Sequence, residues 1–271
     1  MPELPEVETT RRGLLPHVVG RNVRAVAVRN ASLRWPVTRG LERKVRDRKI
    51  LGIRRRGKYL LFDFGEGHLL VHLGMSGRLT LVPHATPARK HDHVDIVLDG
   101  PHTLRFTDPR RFGAVLWLDD AAERHALLKD LGMEPLEAEF SGAALRRKAR
   151  GRSVAVKNFL MNAVIVTGVG NIYASEALFG AGIHPGRSAG RISAARWDRL
   201  AQSVRVTLES ALESGGSTLR DFVTVDGSPG YFQHRHAVYG REGKPCRVCK
   251  TPIRALRQGQ RSTFYCPRCQ R

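Results

Sequence analysis

The chain has no stretch of consecutive apolar residues near the roughly 18 that a membrane span needs. Its first residues are acidic and lack an apolar core, so no secretory signal peptide is expected. Cysteine is missing before residue 246; the four present lie in the last stretch, leaving none for disulfides or a thiol nucleophile elsewhere. Acidic residues are scarce, 25 against 46 Lys plus Arg, which gives a formal charge of +21 and a pI near 11.0. A folded chain this basic is matched to a polyanion, and no long Lys/Arg-rich amphipathic helix is there to suit an anionic membrane surface. The absences together predict a soluble intracellular protein whose partner is nucleic acid. Internal repeats and low-complexity tracts are also absent.

What is present is enough for two domains and a small module: 271 residues, 41% of them hydrophobic. A first helix is predicted over Pro5–Leu15. Pro5 suits the first turn, Glu6 and Glu8 lie toward the positive end of the helix dipole, and Arg11 and Arg12 lie toward the other. Eight short apolar runs follow, broken by Gly, Pro and charged turns: Val23–Val28, Ile50–Ile53, Tyr59–Phe64, Leu69–Leu73, Leu79–Val82, Val94–Leu98, Leu104–Thr107 and Ala114–Leu118. In one of them Val94, Ile96 and Leu98 alternate with Asp95, Val97 and Asp99, the pattern of a strand with one wetter face. Eight strands at this spacing predict a β-sandwich or barrel over residues 20–120. Beyond it the pattern turns helical, with Ser141, Ser153, Asn171 and Ser193 as cap-type residues ahead of helical segments. After Ser193, Trp197, Leu200, Ala201, Val204, Leu208 and Leu212 form one stripe, ended by Gly215 and Gly216. Thr218–Gln233 reads as a long loop.

Two features carry chemistry. Cys246-x2-Cys249 and Cys266-x2-Cys269, sixteen residues apart, have the spacing of a four-thiolate zinc ribbon. Four thiolates saturate a tetrahedral Zn2+, so the ion is expected to be structural and to hold a hairpin bearing Arg254, Arg257, Arg261 and Arg268, residues suited to phosphate. A zinc ribbon alone would equally fit a transcription or translation factor. The second feature is Met1-Pro2-Glu3-Leu4-Pro5-Glu6. Removal of Met1 would leave a secondary amine that forms an iminium with an aldehydic carbon, and Glu3 beside it could move the protons. An α-amine also has a lower reference pKa than lysine, about 8 against about 10, so more of it is free base at neutral pH. Most Met-Pro starts mean only methionine removal, and Glu3 and Glu6 also suit a plain helix N-terminus. Three further segments lie where a strand meets a turn: Arg56-Gly57-Lys58-Tyr59, His72-Leu73-Gly74-Met75-Ser76-Gly77 and Asp108-Pro109-Arg110-Arg111-Phe112-Gly113. An apolar Met or Phe at such a tip, beside Arg, could act as a wedge between base pairs.

With the Gly168–Glu176 segment GVGNIYASE, these motifs run end to end in the order seen in bacterial formamidopyrimidine-DNA glycosylases, which the chain resembles. The resemblance implies an α+β fold. An N-terminal β-sandwich with its leading helix (residues 1–130) is followed by a helix-two-turn-helix domain (131–234, with a lesion loop near 217–233) and a zinc finger (235–271). It implies a bifunctional glycosylase and AP lyase that removes oxidised purines by β,δ-elimination. Pro2 would be the nucleophile at C1′, Glu3 the acid/base, Lys58 a phosphate contact that assists β-elimination, and Arg261 an aid to δ-elimination. Met75, Arg110 and Phe112 map to residues that fill the hole left by a flipped base, and His91, Arg152, Lys157 and Asn171 to phosphate contacts. The partner implied is double-stranded DNA, the cofactor one structural Zn2+ on the four cysteines, the state a monomer, and the place the cytoplasm, at the bacterial nucleoid. Met161-Asn162-Ala163 stands where members usually carry an acid, and Arg220 where lysine is common. Two alternatives share part of the pattern: the sister endonuclease VIII family, which favours oxidised pyrimidines and begins Pro-Glu-Gly-Pro, and a non-catalytic zinc-ribbon protein that binds damage.

Overall fold

A computed structural model describes residues 2–119, 122–216 and 235–271. The expected lesion loop and Arg220 lie outside them. By internal contacts the chain divides into two units, one spanning Met1–Lys129 and resuming at Ser214, the other covering Asp130–Glu213 together with the C-terminal residues to Arg271. The helical segment and the cysteine module therefore share one unit.

The first unit opens with α1 (Leu4–Val18), which reaches three residues beyond the expected Leu15. Its start is fixed by a reciprocal cap: the Glu3 amide donates to the Glu6 carboxylate at 2.8 Å, and the Glu3 side chain accepts from the helix backbone in return. Strands β1 (Val23–Val28), β2 (Gly52–Arg56), β3 (Tyr59–Asp63), β4 (His68–His72), β5 (Arg78–Pro83), β6 (Asp92–Leu98), β7 (His102–Thr107) and β8 (Ala114–Leu118) follow, with a short helix, α2 (Leu41–Val45), after β1. They form two four-stranded antiparallel sheets, ordered β1-β6-β7-β5 and β2-β3-β4-β8. One apolar core takes side chains from both sheets and from α1, among them Val7, Leu14, Leu60, Phe62, Val71, Val94, Ile96, Phe106 and Trp117. At about 25 cal/mol per Å2 of apolar surface, burial of this kind is the main force closing the sandwich.

Two expectations need correction. β2 is not Ile50–Ile53 but Gly52–Arg56, because the pairing of Ile53 with Phe62 and Arg55 with Leu60 sets its register rather than its hydropathy. Asp95 does not face water: it is buried, and Arg105 and Arg29 neutralise it at 2.9 and 2.7 Å.

The second unit contains α3 (Gly142–Ala149), α4 (Val156–Leu160), α5 (Asn171–Gly180), α6 (Ala194–Glu213) and a hairpin of β9 (Arg254–Gln258) and β10 (Arg261–Tyr265). Ser141 caps α3 through Ala144. Ser153 is not a cap, since α4 begins after Ala155. Asn171 is not one either: Gly170 takes the cap position and Asn171 becomes the first helical residue, its side chain engaged elsewhere. Along α6 the stripe is buried as expected, except that Ala211 rather than Leu212 faces inward. Among the described residues no helix is long and apolar enough to cross a membrane.

Candidate DNA-processing site

Three patches hold the candidate residues, two in the first unit and one in the second. The first is the head of the chain. Pro2 and Glu3 are buried at the start of α1. The helix is tied to the adjacent sheet by Glu8, which receives Arg11, Arg12 and Arg55 at 2.8, 2.9 and 3.2 Å, while Arg11 also reaches the Ile53 carbonyl at 3.2 Å. Burial would raise the Glu8 carboxyl, yet the hydrogen bonds and charges of these arginines outweigh it and hold it below its ordinary value. Arg55 lies on β2, and Lys58 sits in the turn that joins β2 to β3, where Gly57 takes a φ of 58°. The ion cluster therefore fixes the helix start against the strand pair whose turn carries Lys58.

The second patch, in the same unit, gathers three sequence segments. The loop after β4 carries Met75, the end of the β5–β6 connection carries His91, and the β7–β8 loop carries Arg110 and Phe112. Asp108 joins them. Fully buried, it accepts hydrogen bonds from Ser76 Oγ and the Gly113 amide, both at 2.8 Å; its own amide donates to the His91 carbonyl at 3.0 Å. The two loops meet backbone to backbone: a Cβ on Gly74 would lie 2.5 Å from the Phe112 carbonyl carbon, and one on Gly113 would lie 2.6 Å from the His72 oxygen. Held this way, Phe112 stays 40% exposed, with the Arg110 guanidinium 4.9 Å from its ring centroid. Met75 is half-buried. His72 lies behind the loop. Burial first, then the Lys58 and Arg34 charges, pulls its pKa to about 4, and its Nδ1 accepts the Gly74 amide at 3.1 Å. A neutral imidazole with its proton on Nε2 thus sits beside Lys58.

The third patch lies in the second unit. The four sulfurs fall within 4.8 Å of one another, with 4.0 Å between Cys246 and Cys269 and 3.4 Å between Cys249 and Cys266. Tetrahedral zinc with bonds of about 2.3 Å requires sulfurs about 3.8 Å apart, so these residues fit a structural Zn2+ with no open coordination position. The zinc hairpin reaches back to the helices. Lys157, only 1% exposed, donates to Asn171 Oδ1 at 2.6 Å, Thr263 Oγ1 at 2.7 Å and the Ser262 carbonyl at 3.2 Å. Asn171 Nδ2 donates to the same Ser262 carbonyl at 3.1 Å, beside the exposed Arg261. Buried Glu176 accepts the amides of Ala237, Val238 and Tyr239 at 2.7, 3.0 and 2.8 Å, docking α5 onto the chain that leads into the finger. Arg152 is exposed ahead of α4.

Sequence reasoning named Met75, Arg110, Phe112, Lys157, Asn171 and Arg261 but not what holds them. Ser76, Asp108 and Glu176 fell inside quoted segments without a role, and no local pattern marked Thr263 as a partner of Lys157.

Residues 1–115 match the formamidopyrimidine-DNA glycosylase N-terminal domain, 131–223 its H2TH domain, and 243–271 the zinc finger found in FPG and IleRS. The formamidopyrimidine-DNA glycosylase of Methylococcus capsulatus is 57% identical over 271 residues, covering all of both chains. The solved structure of the MutM (Fpg) protein from Thermus thermophilus superposes with a TM-score of 0.89 at 42% identity, covering 99% of this chain and 98% of that one. Lactococcus lactis Fpg, solved with abasic-site DNA and, as a variant, with DNA containing Fapy-dG, is 33% identical with a TM-score of 0.92 and at least 99% coverage of each chain. On these matches and the zinc-ready cysteine cluster, the chain belongs to the formamidopyrimidine-DNA glycosylase family, and is an enzyme of DNA base-excision repair.

Proposed function

We propose that the enzyme excises oxidised purines, 8-oxoguanine and formamidopyrimidines, from double-stranded DNA and then cuts the strand at the abasic sugar. The observation that carries this reading is the buried Pro2-Glu3 head, set by its cap at the start of a helix whose strand partners bear Lys58. After Met1 is removed, the Pro2 nitrogen attacks C1′ and the bond from C1′ to the base breaks, the base leaving with the electron pair and a proton. Glu3 acts as the acid/base that opens the sugar and moves protons. The iminium acidifies the C2′ hydrogen; its loss breaks the bond to the 3′ phosphate, and a second elimination breaks the bond to the 5′ phosphate. Lys58 binds phosphate and assists the first elimination, and Arg261 the second.

A base inside the duplex hides its C1′, so the nucleotide must be flipped out at a cost of a few kcal/mol. Phe112 and Met75 fill the vacated stack, and Arg110 pairs with the orphaned cytosine. His91, Arg152 and Asn171 contact phosphate; Lys157, expected to do the same, is 1% exposed with its ammonium on Asn171, Thr263 and the Ser262 carbonyl, so it holds Asn171 and the hairpin in position instead. Zinc keeps the hairpin folded. The enzyme works as a monomer, in the cytoplasm at the nucleoid.

Borohydride trapping on a duplex with 8-oxoguanine opposite cytosine tests the chemistry. A stable adduct whose sugar maps to Pro2 by peptide mass spectrometry is expected. Linkage to a lysine side chain, or none, would refute it, and a strong preference for thymine glycol would move the substrate to oxidised pyrimidines.

A further inference from the structure

Leading up to Arg152 of the third patch, residues 146–152 read Arg-Arg-Lys-Ala-Arg-Gly-Arg, five cations in seven positions. Arg146, Arg147, Lys148, Arg150 and Arg152 are all exposed. Among the described residues none of the five has a carboxylate within ion-pair distance. The nearby acid, Asp198, packs against Gly142 at the opposite end of α3. An unneutralised cluster at the C-terminal end of a helix is tolerated there because the dipole favours cations, but five together repel one another unless an anion arrives.

The cations do not merely project into solvent. Arg146, Arg147 and Arg150 line an open cavity of about 460 Å3, together with Gly151, Gly190 and the buried Trp197. The patch also runs straight into Arg152, whose Nε donates to the Lys148 carbonyl at 2.8 Å and whose own carbonyl accepts the Gly190 amide at 2.8 Å. That tie sets the direction of the chain leaving the helix. Arg146 and Arg150 are four residues apart, a rise of about 6 Å, so their flexible side chains can reach neighbouring phosphates of one strand.

We propose that the end of α3 and its cavity form a second phosphate-binding surface, which takes the DNA backbone away from the lesion and lengthens the footprint beyond the contacts of the reacting nucleotide. The surface serves affinity for undamaged duplex, and so the search, rather than excision. Its continuity with Arg152 favours a DNA strand over a free anion. The inference depends on DNA being the partner but not on the proline chemistry.

The test is Arg146→Gln/Arg147→Gln/Arg150→Gln in the full-length, zinc-loaded enzyme, with Arg147→Glu as a second variant; the side chains are exposed, so both should fold. Binding to undamaged duplex is followed against salt. Each phosphate contact contributes about 0.9 to the slope of log affinity on log salt, so losing three flattens it by about 2.7. Between 50 and 200 mM salt the wild-type affinity should then fall about 40-fold further than that of the triple variant. Single-turnover excision at saturating enzyme should be unchanged on a short lesion-centred duplex, and the affinity gained by extending both flanks should shrink. An unchanged salt slope would overturn the proposal. So would equal loss on short and extended duplexes, or a patch that binds phosphatidylglycerol vesicles while duplex binding stays intact. Failure of the trapping experiment with a flattened slope would sink the chemistry and leave this surface standing.

Discussion

Truncating Asp108 should unseat the loop that presents Arg110 and Phe112. The carboxylate is fully buried and accepts from Ser76 Oγ and the Gly113 amide at 2.8 Å each. Asp108→Ala leaves a buried hydroxyl and a buried amide without an acceptor, at about 1–3 kcal/mol apiece, so a loss near 4 kcal/mol is expected. For domains of this size each kcal/mol moves Tm by about 2–4 °C, which places the fall at about 8–16 °C. Asp108→Asn should cost less, because the amide oxygen can still accept Gly113 while the Ser76 hydroxyl turns to accept the new NH2. Ser76→Ala combined with Asp108→Ala should be milder than the sum of the two, since one orphaned group disappears with its partner. Calorimetry gives the order, and titration with abasic-site duplex gives the functional loss, which should exceed what unfolding explains. If Asp108→Ala melts within about 2 °C of wild type, the carboxylate does not hold the loops and the reasoning fails.

Glu3→Gln should bind lesion DNA but cut it poorly; near-normal turnover in a single-turnover assay would remove Glu3 from the proton transfers. Cys249→Ser should lose its zinc by elemental analysis and weaken DNA binding, because the hairpin that holds Lys157 and Asn171 loosens; full retention of affinity would separate zinc from recognition. His72 supplies a pH signature. Its folded pKa of about 4 lies below its ordinary 6.5, so its contribution to stability is complete above pH 6.5 and declines as pH falls toward 4, where the folded form also takes a proton. Urea midpoints should therefore drop between those values more steeply for wild type than for His72→Gln, and parallel curves would refute the burial argument.

What could be read from the residues alone was whatever is local. The four cysteines lie within one short segment, and the strand runs announce themselves by Gly and Pro at their ends. The true bounds of β2 are hidden because Arg54, Arg55 and Arg56 make its second half polar, and only its pairing with β3 reveals them. Asp95 reads as part of a wetter face because its neutralising partner, Arg105, lies on a neighbouring strand. Met75 and Phe112 are visible in the sequence as apolar tips near arginine, but their anchor joins Ser76 and Asp108 across 32 residues, and Lys157 meets Thr263 across 106. Pairings over such distances leave no periodicity to detect.

The crossing of the Gly74 and Gly113 backbones limits how this enzyme can be re-engineered. Neither position admits even a methyl group, so neither loop can be grafted, lengthened or swung without its neighbour. Residues 72–77 and 108–113 would have to be exchanged as one cassette, or changes confined to the outward side chains at 110 and 112.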